Sequence, residues 1–201
     1  MDHHRNDKDI AYTTAWHVYN VDKNHNYDPN PRAYKGDTIY GLWIVDYNLS
    51  DGKWREATDS AVVMNVRMLI HFAGDFHCPV HSYIDGHRTF WPCAIGDKEY
   101  ATFHSIYDGI PALLYPDQTP NEIAEIIDNC TPAQRRKICK GSLYDWAREC
   151  GDNNSAIYKI NDYDEPVLDL DTIEKSREIV NIQLRNAGYR LAYLLNKYFG
   201  K

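Results

Sequence analysis

Residues 69–81, Leu-Ile-His-Phe-Ala-Gly-Asp-Phe-His-Cys-Pro-Val-His, put three potential metal ligands and a helix stop into one short stretch. His71 and Asp75 lie four apart, so on a helix they share one face a single turn apart, and Pro79 ends that helix before His81. Upstream, Ala61, Val62, Val66, Leu69, Ile70 and Ala73 recur at three- and four-residue steps. That periodicity predicts a long buried helix from Trp54 to Cys78, able to carry the polar pair inward. A second His-x-x-x-Asp stands at His104 and Asp108, and two such pairs suffice for two divalent ions.

The spacing by itself is common in a chain with nine histidines. It occurs again at His3/Asp7 and His81/Asp85, and it fits a surface pair or a hydrogen-bonded core histidine as well as a ligand pair. Context separates them. His71/Asp75 and His104/Asp108 sit among apolar and aromatic neighbours, where a lone carboxylate is costly, whereas His3/Asp7 belongs to the solvated run Asp-His-His-Arg-Asn-Asp-Lys-Asp.

At 201 residues and 43% hydrophobic, the chain is expected to form one domain spanning 1–201, since no shift in composition marks a boundary. No apolar run reaches the length of a membrane span, and the residues after Met1 do not read as a signal peptide. Five cysteines match neither a zinc-ribbon spacing nor a dense disulfide framework. A formal charge of -7 argues against a basic face that clamps duplex nucleic acid. Phosphate chemistry stays open, because bound divalent ions create a local positive centre whatever the overall balance. Neither a P-loop nor a GxGxxG turn is present, so a phosphate is expected to be held by metal.

Residues 21–52 read as a long loop rich in Asp, Asn, Gly, Pro and Tyr, with a short helical possibility around Ile39 to Val45. Residues 82–99 read as a loop or short hairpin. A helix carrying His104 and Asp108 ends near Gly109 and Pro111. Thr119-Pro120 with Glu122 is a helix start, and Thr131-Pro132 starts another expected to run to about Cys150. A last helix from Asp171 to about Tyr198 places Val180, Leu184, Ala187, Leu191, Leu194 and Tyr198 on one core-facing stripe. The architecture expected is all-α.

The motifs together resemble a known family, the zinc-dependent single-strand nucleases of fungi and plants (nuclease P-one and nuclease S-one), related in fold to bacterial zinc phospholipase C. The stretch 69–81 is similar to its helix motif, in which a histidine precedes Gly-Asp and a Pro-Leu-His follows. Phe103 to Asp108 resembles its Leu-His-x-x-Trp-Asp. Asp2-His3-His4-Arg5 resembles an Asp-x-x-Arg element, Trp16 to Asn20 the next His element, and Gly188 to Asn196 the final helix.

The resemblance implies a multi-helix bundle with long loops and an endonuclease that cuts single-stranded DNA and RNA to 5′-phosphate products, with 3′-nucleotidase activity besides. Asp2, His17, His71 and Asp75 are then expected to enclose one zinc, and His81, His104 and Asp108 a second. Asp75 would bridge to a third zinc, Arg5 would stabilise charge in the transition state, and Asn20 would support the substrate site. The resemblance also implies a monomer, secreted or lumenal, acting on single-stranded nucleic acid or nucleotides.

Departures accompany the match. The chain is expected to lack about forty N-terminal residues of a family member, with the Trp and His that complete the third zinc site, for which His3, His4 or His77 could substitute. Arg88-Thr89-Phe90 replaces a Gly-Gly-Asn near the nucleotide, and Cys78 stands where Gln is common. Tyr19, Tyr83, Phe90 and Trp91 are readable as base-stacking rings or as packing. The competing readings are a catalytically impaired zinc-binding relative and a phospholipase C-like phosphodiesterase.

Overall fold

The computed structural model describes residues 11–29, 36–87, 89–160 and 167–200; Asp2, His3, His4 and Arg5 lie outside them. The chain is all-α, with short strands in the connections. Helices α1 (Thr38–Leu49), α2 (Asp59–His77), α3 (Phe103–Asp108), α4 (Ile110–Leu114), α5 (Pro120–Ile127), α6 (Pro132–Ile138), α7 (Leu143–Ile160), α8 (Leu170–Glu174) and α9 (Arg177–Phe199) follow in order. Three single-turn or longer 3-10 segments, Ala11–His17, Ser50–Arg55 and Pro79–His81, flank α1 and α2.

α2 is the axis. Thr58 caps its first turn by accepting from Ala61 N, and its inward face buries Met68, Leu69, Phe72, Ala73 and Phe76 against α1 and α9. Phe72 and Phe76 are fully buried, each worth roughly 1.5–3 kcal/mol of apolar burial. α1 comes so close that a Cβ on Gly41 would lie 2.9 Å from the Phe72 ring and 3.1 Å from Trp16.

Sequence and structure part at several element boundaries. The loop expected over 21–52 holds a twelve-residue helix, because Asp37 caps it by accepting from Tyr40 N at 2.9 Å. The organising helix starts at Asp59, since Trp54 belongs to the preceding 3-10 segment. The helix expected from Thr131 to Cys150 is two helices. Gly141, at φ +105°, ends one, and Ser142 opens the other by exchanging hydrogen bonds with Asp145. The last helix is likewise divided between α8 and α9. On α9 the most deeply buried positions include the polar Gln183, Asn186 and Arg190, while Leu184, Ala187, Leu191 and Leu194 are half-buried.

The strands tie distant segments together. β1 (Tyr19–Val21) pairs in parallel with β2 (Ser82–Ile84), Tyr19 opposite Ser82. β3 (Cys93–Ile95) and β4 (Lys98–Tyr100) form the short hairpin expected between 82 and 99, turning at Gly96, and β5 (Val167–Leu168) adds in parallel to β3. None of the five cysteines is disulfide-bonded.

Candidate metal centre

The parallel β1–β2 pair fixes the site. His17 ends the 3-10 segment just ahead of β1, and His81 ends the one just ahead of β2, so pairing the strands sets the two residues side by side. His81 Nδ1 donates to the His17 carbonyl at 2.8 Å. That bond settles the imidazole's orientation and leaves Nε2 pointing at Asp108 Oδ1, 2.9 Å away.

The α2 helix supplies the neighbouring group. His71 and Asp75 share a face, and His17 closes on them: His17 Nδ1 is 2.9 Å from Asp75 Oδ2, His71 Nε2 is 3.1 Å from the same oxygen, and the two ring nitrogens are 3.0 Å apart. Asp75 Oδ1 turns the other way, 3.6 Å from His81 Nδ1. One carboxylate therefore faces both groups.

The α3 helix completes the second group. Thr102 and Ser105 cap it reciprocally, which fixes His104 and Asp108 one turn apart, with His104 Nε2 3.5 Å from Asp108 Oδ1. The His104 ring stacks on His81 at 4.5 Å between centroids, and its Nδ1 is buried with no hydrogen-bond partner among the described residues. Cys78, one residue past α2, brings its sulfur into this group. The donor atoms of Cys78, His81 and Asp108 all lie within 4.8 Å of one another, and those of His17, His71 and Asp75 do likewise.

The electrostatics follow from this crowding. Burial pushes the Asp75 carboxyl up, but the hydrogen bonds from His17 and His71 and the charge of His81 outweigh it and hold the group well below the usual carboxylate range. Burial pushes His81 down, yet the Cys78 sulfur, Asp108 and Asp75 together raise it well above an ordinary histidine. His104 is lowered, by burial first and then by the charge of His81. Donors on a tetrahedral zinc are about 3.3–3.6 Å apart, from bonds of ~2.0–2.2 Å. The 2.9–3.1 Å triangle of His17, His71 and Asp75 is slightly inside that, as is the 2.9 Å between His81 Nε2 and Asp108 Oδ1, and the Cys78 sulfur lies within 4.8 Å of the second pair's donors, so both donor sets fit a divalent ion after side-chain shifts.

A cavity of about 750 Å³ opens over both groups. His17, Asp75, His81, His104 and Asp108 line it, and so do Tyr83 and Phe90. A family model described as S1/P1 nuclease matches residues 1–200. The chain belongs to the S1/P1 nuclease family. A search among curated proteins gave no match.

In this S1/P1 nuclease five of the residues expected as ligands, His17, His71, Asp75, His81 and Asp108, converge within hydrogen-bonding range of one another, and His104 stands beside them. Asp2 and Arg5 fall outside the described residues. Asn20 sits on β1 in register with Tyr83. His77 faces away from the cavity's donors: Nδ1 donates to Ala73 O at 2.8 Å and Nε2 accepts from Arg190 at 3.0 Å, so no lone pair remains for a third ion. Of the four aromatic rings, Tyr19 stacks on Phe76 and Trp91 on Phe103, both buried, which makes them core. Phe90, 61% exposed, stacks on His104 at the cavity wall. The sequence reading missed Cys78 as a donor. Its signal was the Cys-x-x-His spacing of 78 and 81 across the turn that Pro79 begins. No helix among the described residues is long and apolar enough to cross a membrane.

Proposed function

We propose that this protein is a zinc-dependent endonuclease that hydrolyses phosphodiester bonds of single-stranded DNA and RNA to 5′-phosphate products, and also removes 3′-phosphates from nucleotides. The observation that carries the reading is the triangle of His17 Nδ1, His71 Nε2 and Asp75 Oδ2, with sides of 2.9–3.1 Å, whose His17 and Asp75 line an open cavity in a member of the S1/P1 nuclease family.

In this reading His17, His71, Asp75 and Asp2 hold one zinc, and His81, His104 and Asp108 hold another, with Asp75 reaching toward a third. Zinc, when bound, supplies Lewis acidity that neutralises phosphoryl oxygens and activates water. The chain's own groups do the rest. The Asp75 carboxylate stays ionised through the working pH range and keeps the imidazoles around it oriented. The His17 carbonyl holds the His81 tautomer, so Nε2 is the nitrogen offered to the site. Arg5, by the family resemblance, would stabilise charge on the phosphoryl group as it transfers, a task its planar fork suits. Tyr83, raised above its usual range by burial and then by the charge of Asp108, keeps its proton and can donate it in a hydrogen bond. Asn20 supports the substrate from β1.

Strand preference comes from Phe90. A base stacked on its exposed ring lies beside His104, and a base held in a duplex stack cannot reach that position. The protein acts in this reading as a secreted or lumenal monomer.

The test is incubation of the purified chain with matched single-stranded and duplex oligonucleotides, with and without a chelator. Chelator-sensitive cleavage of the single strand, leaving 5′-phosphate ends, is expected. Cleavage that survives chelation, or none in zinc-supplemented buffer, refutes the assignment.

A further inference from the structure

We propose that Cys78 Sγ is itself a ligand of the second ion, so that this centre carries sulfur. The inference rests on the reading of the two groups as metal sites and goes beyond it in naming a thiolate among the donors.

Local geometry aims the sulfur there. α2 ends at His77, Cys78 leaves the helix in extended conformation (φ −63°, ψ 126°), and Pro79 starts a 3-10 turn that closes with His81 N donating to Cys78 O at 3.0 Å. Residues three apart across such a turn are eclipsed, so Cys78 and His81 face the same way. The sulfur lies within 4.8 Å of the His81 and Asp108 donor atoms, whereas its hydrogen-bond acceptor, Tyr107 O, is 3.7 Å away, near the long limit for sulfur. Sulfur–nitrogen separations on one zinc are roughly 3.5 Å, given Zn–S near 2.3 Å and Zn–N near 2.0 Å.

The chemistry follows from the count. Cys78, His81 and Asp108 offer three mutually close donors, and His104, with Nε2 3.5 Å from Asp108 Oδ1, would make a fourth, the number of a closed tetrahedral centre, where three leave a position for solvent. Binding converts the thiol to a thiolate and bares His81 Nε2, releasing both protons to solvent while Nδ1 keeps its proton on the His17 carbonyl. Two anions and two neutral imidazoles balance a divalent ion, and the thiolate turns the centre toward zinc, cobalt and cadmium and away from magnesium and manganese.

The experiment uses the full chain, stripped of metal and kept reduced, titrated with Co(II). Wild type is expected to develop a near-ultraviolet thiolate-to-cobalt charge-transfer band, which Cys78→Ser loses and Cys139→Ser keeps. Cys78→Ser should also hold the second ion more weakly by more than the roughly 10–100-fold that losing a supporting hydrogen bond costs. If Cys78→Ser does not fold, alkylation of wild type with peptide mapping decides: zinc should shield Cys78 and leave Cys130, which is equally half-buried but remote from the donors, unchanged. Cobalt bound with no such band, a band that persists in Cys78→Ser, or Cys78 alkylated equally with and without zinc overturns the sulfur ligand while the metal centre stands. A chain that binds no ion at all overturns both.

Discussion

Asp75 is the residue on which the site's charge turns. Its Oδ2 accepts from one imidazole group and its Oδ1 faces the other, so neutralising it removes the anion common to both. Asp75→Asn is therefore expected to lower bound metal, read by atomic absorption, and to cut single-strand cleavage by at least about a hundredfold, the upper end of what even supporting partners cost. Phe90→Ala should act on binding instead. Losing one stacked base, worth about 1–3 kcal/mol, raises KM for oligonucleotides while kcat per bound substrate changes little. Beneath the site, His77 is buried between the Ala73 carbonyl and Arg190, and burial with the Arg190 charge pushes it down to about 3. A histidine lowered on folding stays neutral while the unfolded chain takes up a proton, so its contribution is complete above about pH 6.5 and is lost as pH falls toward 3. Urea denaturation should show stability dropping by at most about 1.4 kcal/mol per pH unit from this residue across that window, a slope that His77→Gln removes. Glu149 receives Arg190 Nη2 at 2.8 Å, pairing the guanidinium that abuts His77.

The elements were legible where a cap or a period is local. Thr119 with Glu122 and Thr131 with Gln134 form the reciprocal caps that their spacing announces, and α2 follows its apolar period. What escaped depends on contacts that no local pattern carries. α1 is apolar all round, with Ile39, Leu42, Val45 and Leu49 buried and Tyr40, Trp43 and Tyr47 exposed, so no amphipathic period marks it; Gly41 lets it settle directly on Phe72 and Trp16. The polar face of α9 is buried because Arg190 finds Glu149, His77 and the Ile138 carbonyl, 41 to 113 positions away in the chain. The metal-site pairs at 71/75 and 104/108 could be picked out by spacing, but their convergence with His17 depends on a parallel strand pair of three residues, too short to announce itself. The sequence match to a nuclease family supplied what spacing could not. At the element scale, Gly41→Ala drives a methyl into aromatic rings and is expected to cost about 1–3 kcal/mol, seen as a lower urea midpoint with unchanged m-value. Gly141→Ala, forced to φ +105°, should cost on the order of 1–3 kcal/mol by the same assay.

For the whole molecule, the candidate metal groups join α2, α3 and the segment before β1, so loading them with zinc would couple to folding. Free zinc at a hundred times its dissociation constant adds about 2.7 kcal/mol per site. In a chain of 201 residues that corresponds to a rise in Tm of roughly 5–10 °C for each independent site, reversed by chelation and measurable by differential scanning fluorimetry. The parallel pairing of β1 with β2 also sets a clock. His17 and His81 are 64 positions apart, and closing so long a span is entropically slow, whereas α2 winds from neighbours alone. During refolding, far-ultraviolet ellipticity should return ahead of the capture of zinc from a fluorescent indicator. A nascent chain stalled before residue 82 would then already own two imidazoles and a carboxylate of the nearer cluster, yet lack the strand that seats them.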